Sequence, residues 1–330
     1  ASGSAGTPPI PSPGPAALQT PDILALRSGT LDHDLTIALT GDDSGFDELQ
    51  TTSPGASIPQ SAGSVGGGGV ARLILNGDLT NPSPDFTLGL AEALTVPNLE
   101  VASEAEAASS SSGELTVGDN LFLKDQLVTS NASTGLTIAN EVDILRTDYE
   151  GSDVLDQKPT FADKYDLEYE GSGDKFVSGF EVATSASALR DLTIDVDGSS
   201  GDVFLDADAN RLSGTVTVNN LLDLQQGNLD YERQVEVADG ATVRRTDEGA
   251  LADAAGDNPD SAPPAPIEAE ETYALEYDGD AAITATDREF IDDGGTGIAD
   301  VESVMDNSST LTVDFDVTAR SLTVNNGSGS

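Results

Sequence analysis

Carboxylates are the residues of this chain whose types and spacing come closest to a binding site. Asp195, Asp197 and Ser199 alternate in DVDGSSGD, and Asp206, Asp208 and Asn210 alternate in DADAN. Oxygen ligands at every second position suit a calcium loop, but the regular loop also needs Gly at its sixth position and Glu at its twelfth. Counted from Asp195, those positions hold Ser200 and Asp206; counted from Asp206, they hold Arg211 and Thr217. The regular pattern fails. Solvated turn acids are the expectation. Asp195, Asp197, Asp206 and Asp208 remain only as weak candidates for an irregular Ca²⁺ site, and no other cofactor is indicated.

The remaining chemistry is sparse. His33 is the only histidine, and a Ser/His/Asp triad would have to use it. It lies in LDHDLTI, on the alternate face from Leu31 and Leu35, and so reads as a solvent-facing strand residue. Gly66–Gly69 lacks the Gly-Lys-Ser/Thr that completes a phosphate loop, and reads as a flexible insertion. Tyr165 and Tyr169, and again Tyr273 and Tyr277, are four apart, which puts each pair on one face of a strand. Core packing or a cross-rung ladder is expected of them, with sugar stacking as the alternative. A glycan-cleaving β-helix enzyme would need paired carboxylates, or a carboxylate with Lys or Arg in a groove. Acids are so abundant here that pairs carry no information. Lysines are few: Lys124, Lys158, Lys164 and Lys175. No catalytic residue is assigned, and an enzyme is not expected.

Charge narrows the partners. Against 14 Lys and Arg stand 59 Asp and Glu, a formal net charge of −45. Such a surface repels nucleic acid and anionic lipid and suits water and cations. A salt-rich habitat explains it, with many divalent-cation contacts as the alternative. There is no Cys, hence no disulfide and no thiolate chemistry. No apolar run approaches the roughly 18 residues of a membrane span. The start ASGSAG, without Met, fits removal of a signal peptide and points to an extracellular or cell-surface location.

The elements that carry these residues are short. Residues 1–22 contain Pro8, Pro9, Pro11, Pro13, Pro15 and Pro21 and read as an extended arm. From Ile23 the pattern becomes period-two alternation broken by Gly, Asn, Asp and Ser, the strand signature. LTIAL (Leu35–Leu39), ARLIL (Ala71–Leu75), ALTV (Ala93–Val96), ELTV (Glu114–Val117), LTIA (Leu136–Ala139), LTIDV (Leu192–Val196), TVTV (Thr215–Val218), QVEV (Gln234–Val237) and LTVDFDV (Leu311–Val317) all read as strands.

Repeats set the architecture. Three modules span 23–120, 121–220 and 221–326, followed by a tail at 327–330, and they end ELTVGDN, GTVTVNN and SLTVNN. Arg146-Thr147-Asp148 returns as Arg245-Thr246-Asp247, 99 residues on, and the Tyr165–Gly171 stretch returns as Tyr273–Gly279, 108 residues on. The unequal offsets place insertions in two polar stretches, Tyr149–Ala162 and Glu248–Ala269. No linker separates the modules, and their boundaries fall inside strand-like segments. The fold expected is all-β: a β-solenoid, or parallel β-helix-like stack, with loop insertions. Tandem β-sandwich domains are the alternative. Asn at the turns could ladder with its copy on the next rung.

The segments YDLEYEG, LRDLTI and LSGTVTVNNLLDLQQGNL, with their echoes at Tyr273–Gly279 and Leu311–Asn326, resemble the repeats of surface β-solenoid proteins exported by type IX secretion. The resemblance covers about two thirds of the chain. No C-terminal sorting domain is recognisable after Asn326. The resemblance implies an extracellular structural role and no catalytic residues.

A filament or layer subunit is therefore the leading expectation. A stalk or adhesin region, with surface glycans as possible ligands, is the runner-up, and a carbohydrate-active enzyme the third. The partner expected is the chain itself. TVTVNN (Thr215–Asn220) runs into LLDLQQGNLD (Leu221–Asp230), whereas SLTVNN closes the C-terminal region and ILALRSGTLD (Ile23–Asp32) opens the N-terminal one. Rejoining those halves between copies predicts head-to-tail assembly through Ile23, Leu24, Leu26, Leu31, Leu322, Val324, Asn325 and Asn326.

Overall fold

A computed structural model describes residues 23–26, 48–51, 56–57, 72–75, 86–90, 94–101, 105–109, 114–129, 135–148, 154–177, 180–183, 188–197, 201–205, 215–231, 235–251, 268–269, 272–279, 282–285, 289, 300–306, 309–314 and 319–327. Among them there is no helix, and every strand pairing is parallel. The chain is a β-solenoid.

One stack of parallel strands runs the whole length. It takes Ile23–Leu26, Glu48–Thr51, Arg72–Leu75, Leu94–Val101, Glu114–Leu123, Val142–Arg146, Tyr165–Gly171, Leu189–Val196, Leu221–Tyr231, Thr242–Leu251, Ala274–Gly279, Asp300–Asp306 and Ser321–Gly327 in order. A second stack precedes it in some of the described coils, as in Gly135–Ile138 and Val216–Val218. A third follows it, as in Lys175–Phe176, Asp202–Leu205 and the C-terminal half of Leu221–Tyr231.

Alternation along each strand points every second side chain inward, and register places it over its copy. One column of register partners reads Leu24, Leu49, Leu73, Leu99, Leu121, Ile144, Leu167, Leu192, Leu222, Val243, Leu275, Val301, Leu322. From Leu99 to Val301 every member is buried. Full burial of each such side chain contributes about 1.5–3 kcal/mol.

The column reveals the true repeat. Leu121, Ile144 and Leu167 are 23 apart, but Leu192 to Leu222 is 30, Leu222 to Val243 is 21 and Val243 to Leu275 is 32. The unit is the single coil, and the 100-residue module is four of them: Leu24, Leu121, Leu222 and Leu322 are 97, 101 and 100 apart. The module boundary at 120/121 falls within one unbroken strand, Glu114–Leu123.

Two local expectations meet different outcomes. Turn asparagines do ladder: Asn120 Nδ2 donates to Asn98 Oδ1 of the previous coil at 2.6 Å. In Tyr149–Ala162, read as a polar insertion, the described part, 154–162, instead belongs to the wall. Val154 and Leu155 are buried, Leu155 bridges to Leu127, and Thr160–Phe161 pairs with Gly135–Ile138. Only a short apolar patch marks this turn of the coil, too short to show an alternation. In the other polar stretch, Glu248–Leu251 completes a strand and Glu268–Ala269 forms another, while 252–267 lies outside the described residues.

The corner between the main stack and the third stack is tight at Gly227. Its φ is +75°, and an added Cβ would stand 2.3 Å from Val196 Cγ2. Only glycine meets both demands.

Candidate functional site

Two clusters of ionisable groups lie inside the coils. Arg146 and Arg245 occupy an inward column filled in neighbouring coils by Leu123, Ile194 and Leu224. A buried guanidinium is costly unless paired and fully hydrogen-bonded. Glu181 supplies the pair: its Oε1 lies 2.6 Å from Arg146 Nη1, and both side chains are 0% exposed. Arg146 Nη1 also donates to the Phe176 carbonyl at 3.0 Å. Tyr165 Oη donates to the Glu181 carbonyl at 3.1 Å and accepts from the Ala183 amide at 2.7 Å. The Arg146 guanidinium carbon stands 5.8 Å from the centroid of Tyr169, its register partner in the next coil.

The same construction recurs. Arg245 Nη1 meets Glu289 Oε1 at 2.5 Å and donates to the Thr284 carbonyl at 2.9 Å. Tyr273 Oη donates to the Glu289 carbonyl at 2.9 Å, and Tyr277 Oη donates to Glu289 Oε2 at 2.6 Å. In each copy the glutamate follows the first tyrosine by 16 residues. One difference stands out: Tyr169 Oη has no hydrogen-bond partner among the described residues. Burial pushes the phenols of Tyr165, Tyr169 and Tyr277 up, and at the latter two the adjacent Glu181 and Glu289 charges add to it. These tyrosines stay protonated donors. All four are core residues, as their spacing implied. What this arrangement does chemically is hold one coil to the next.

Sequence reasoning found the arginines and tyrosines as repeats but missed Glu181 and Glu289. Neither lies in a strand. The available signal was a glutamate at a fixed distance after each Tyr-x-Leu-Glu-Tyr.

The outer face of the main stack is acidic. Asp143, Asp166 and Asp191 are successive register partners, so like charges stand one strand spacing apart, about 4.8 Å. With Glu168, Phe122 and Leu145 they line a depression of about 350 Å³. Partial burial raises the Asp143 carboxyl, and Asp166 raises it further. Partial burial likewise raises Glu168, followed by Glu170, Asp195, Asp143 and Asp223. Basic side chains offset part of this. Arg190 Nε donates to Asp166 at 2.7 Å and lies 3.7 Å from Asp191. Arg244 spans Asp223 and Glu276 at 3.4 and 3.6 Å, and Lys124 meets Glu100 at 2.9 Å.

Of the cation candidates, Asp195 and Asp197 lie among the described residues. Asp195 is half-buried and Asp197 exposed, its amide donating to the Gly171 carbonyl at 2.8 Å. Asp206 and Asp208 lie outside the described residues. Among the described residues, no group of three or more His, Asp or Glu is placed to hold a metal ion. Leu31, His33 and Gly66–Gly69 also lie outside them. No helix of the described residues is long and apolar enough to cross a membrane.

The residues expected to mediate self-assembly, Leu31 apart, lie on the first and last described strands of the stack. Ile23, Leu24 and Leu26 are on the strand Ile23–Leu26, which pairs with Glu48–Thr51. Leu322, Val324, Asn325 and Asn326 are on Ser321–Gly327, which pairs with Asp300–Asp306. Leu322 and Val324 are 66% and 64% exposed, although their columns are buried from Leu99 to Val301 and from Val101 to Ser303. The structure revises how the repeats correspond. Ser321–Gly327 stands at the ladder position of Leu221–Leu224, not at that of Val216–Val218, which belongs to the stack before the corner. The shared Thr-Val-Asn-Asn therefore marks two different places in a coil. A following strand would stack on Ser321–Gly327 by backbone hydrogen bonds rather than continue it around the corner.

Comparison with protein-family models, curated proteins and solved structures returned no match.

Proposed function

We propose that this chain is an extracellular structural protein, the subunit of a surface filament or layer that grows head to tail. One observation carries the reading: two columns, buried from Leu99 to Val301 and from Val101 to Ser303, reach Leu322 and Val324, which are exposed on a strand paired along one edge among the described residues. Such an edge is a template for another strand. A contact between unlike ends propagates into an open polymer unless it closes into a ring. The cell-surface setting rests on the resemblance of the repeats to exported surface solenoids. The charge of −45 keeps the sides of such rods apart and leaves the ends as the contact.

The test is sedimentation velocity with negative-stain microscopy in molar NaCl. Wild-type chain should form rods that lengthen with concentration, and Leu322→Asp should leave folded monomers. A wild-type chain that stays monomeric under these conditions would overturn the filament and favour a stalk.

A further inference from the structure

We infer that the two interior clusters are register keys: each fixes which residue of one coil stacks on which residue of the next, at Val142–Arg146 over Tyr165–Gly171 and at Thr242–Leu251 over Ala274–Gly279. The inference is independent of how the rod assembles.

An aliphatic ladder does little to choose its own register. A slip by one residue turns every side chain to the wrong face, but a slip by two keeps inward residues inward. At Leu189–Val196 over Leu221–Tyr231, a two-residue slip puts Ile194 over Leu222, aliphatic on aliphatic as before. The outward face is no more selective at the first cluster. Asp143 stands over Asp166 in the native register and would stand over Glu168 after the slip, a carboxylate in either case. The joining segments tolerate the change as well. Coil spacing already runs from 21 to 32 residues, and closure entropy varies only logarithmically with length.

The clusters remove that freedom. Glu181 is carried by the coil of Tyr165, whose Oη donates to the Glu181 carbonyl at 3.1 Å and accepts from the Ala183 amide at 2.7 Å. The Glu181 carboxylate reaches back to Arg146 on the preceding strand at 2.6 Å. The pair therefore spans the step whose register is in question. Two residues of strand amount to about 6.6 Å. Sliding one coil past the other by that distance would part carboxylate and guanidinium with both still in the core, and an uncompensated buried charge is strongly destabilising. Glu289 repeats the device. Tyr273 Oη and Tyr277 Oη hold it to their own coil, and it reaches Arg245 on the strand before. Replacing such a network by apolar side chains can leave stability unchanged; what is lost is the penalty on the wrong arrangement. That separates a register key from a simple tie.

Engineered disulfides read the register directly, since the chain has no Cys. In-register neighbours lie about 4.8 Å apart, within the roughly 4.4–6.8 Å that a disulfide spans between Cα atoms, whereas partners two residues out lie about 8 Å apart. Asp143→Cys/Asp166→Cys reports the native register, and Asp143→Cys/Glu168→Cys and Leu145→Cys/Asp166→Cys report slips in the two directions. With the interior intact, the native pair should close and the slipped pairs should oxidise at least about tenfold less. With Arg146→Met and Glu181→Leu added, the slipped pairs should rise at least about tenfold while the urea midpoint holds. Slipped pairs that stay open in a folded chain carrying both replacements overturn the inference. If that variant does not fold, Arg245→Met with Glu289→Leu puts the same question to the second cluster, read by Thr242→Cys/Ala274→Cys against Thr242→Cys/Glu276→Cys. Failure of both altered interiors to fold would make the clusters a condition of stability, and that result overturns the inference too.

Discussion

Removing Glu181 tests whether the interior clusters are coil-to-coil ties. The carboxylate faces Arg146 at 2.6 Å with both side chains sealed from water. At an effective dielectric of about 20 and about 4 Å between charge centres, their attraction is about 4 kcal/mol. Glu181→Leu deletes it and leaves a buried guanidinium whose remaining acceptors include the Phe176 carbonyl. Stranding one member of such a pair costs about 3–5 kcal/mol. Arg146→Met together with Glu181→Leu removes the charge as well as its partner, so most of that loss should return, to within about 1 kcal/mol of wild type or better. The assay is equilibrium urea unfolding followed by circular dichroism in molar NaCl. Glu289→Leu should reproduce the single loss. The two clusters sit four strand steps apart, about 19 Å, so their effects should add within about 0.5 kcal/mol. A cost below about 1 kcal/mol for Glu181→Leu, or a double variant as damaged as the single, would refute the argument.

The acidic face gives a pH test. Asp143 and Glu168 have folded-state values above the ordinary ones, so the folded chain binds more protons than the unfolded chain between the two. Stability should therefore rise as pH falls from 7 through the raised values, and the gain should be complete below about 4, the ordinary carboxylate range. Asp300, held near about 2 mainly by Arg320 and then Ser321, acts oppositely: its contribution is present above 3.8 and is lost only as pH falls toward 2. Asp143→Asn and Glu168→Gln should each raise stability in dilute buffer at pH 7 by about 0.5–1 kcal/mol and reduce the benefit of molar NaCl, read as melting temperature. Gly227→Ala should destabilise well beyond Gly240→Ala, since both have positive φ but only Gly227 has Val196 in the way; urea midpoints decide. Deleting 252–267 should leave the β circular-dichroism signal intact, whereas Val154→Asp should weaken it, because Val154 is buried in the coil wall.

Much of this protein was written locally. Alternation in Tyr-Asp-Leu-Glu-Tyr placed Tyr165, Leu167 and Tyr169 on one face, and that face is the interior. Asn at the corners announced the ladder that Asn98 and Asn120 form. The all-β class followed because strand period is a property of each short segment by itself. The acid excess, too, was visible at once, but not which acids stand together. Asp143, Asp166 and Asp191 become neighbours only because intervening segments of unequal length return the chain to one ladder. The same unequal returns hid the coil, whose spacing runs from 21 to 32, behind a steadier four-coil period. They also hid Glu181 and Glu289, which lie outside the strands and meet their arginines 35 and 44 residues away. Where a side chain points is decided over a few residues of backbone. What it meets is decided by where the next coil returns, and that depends on the whole stack closing around its core.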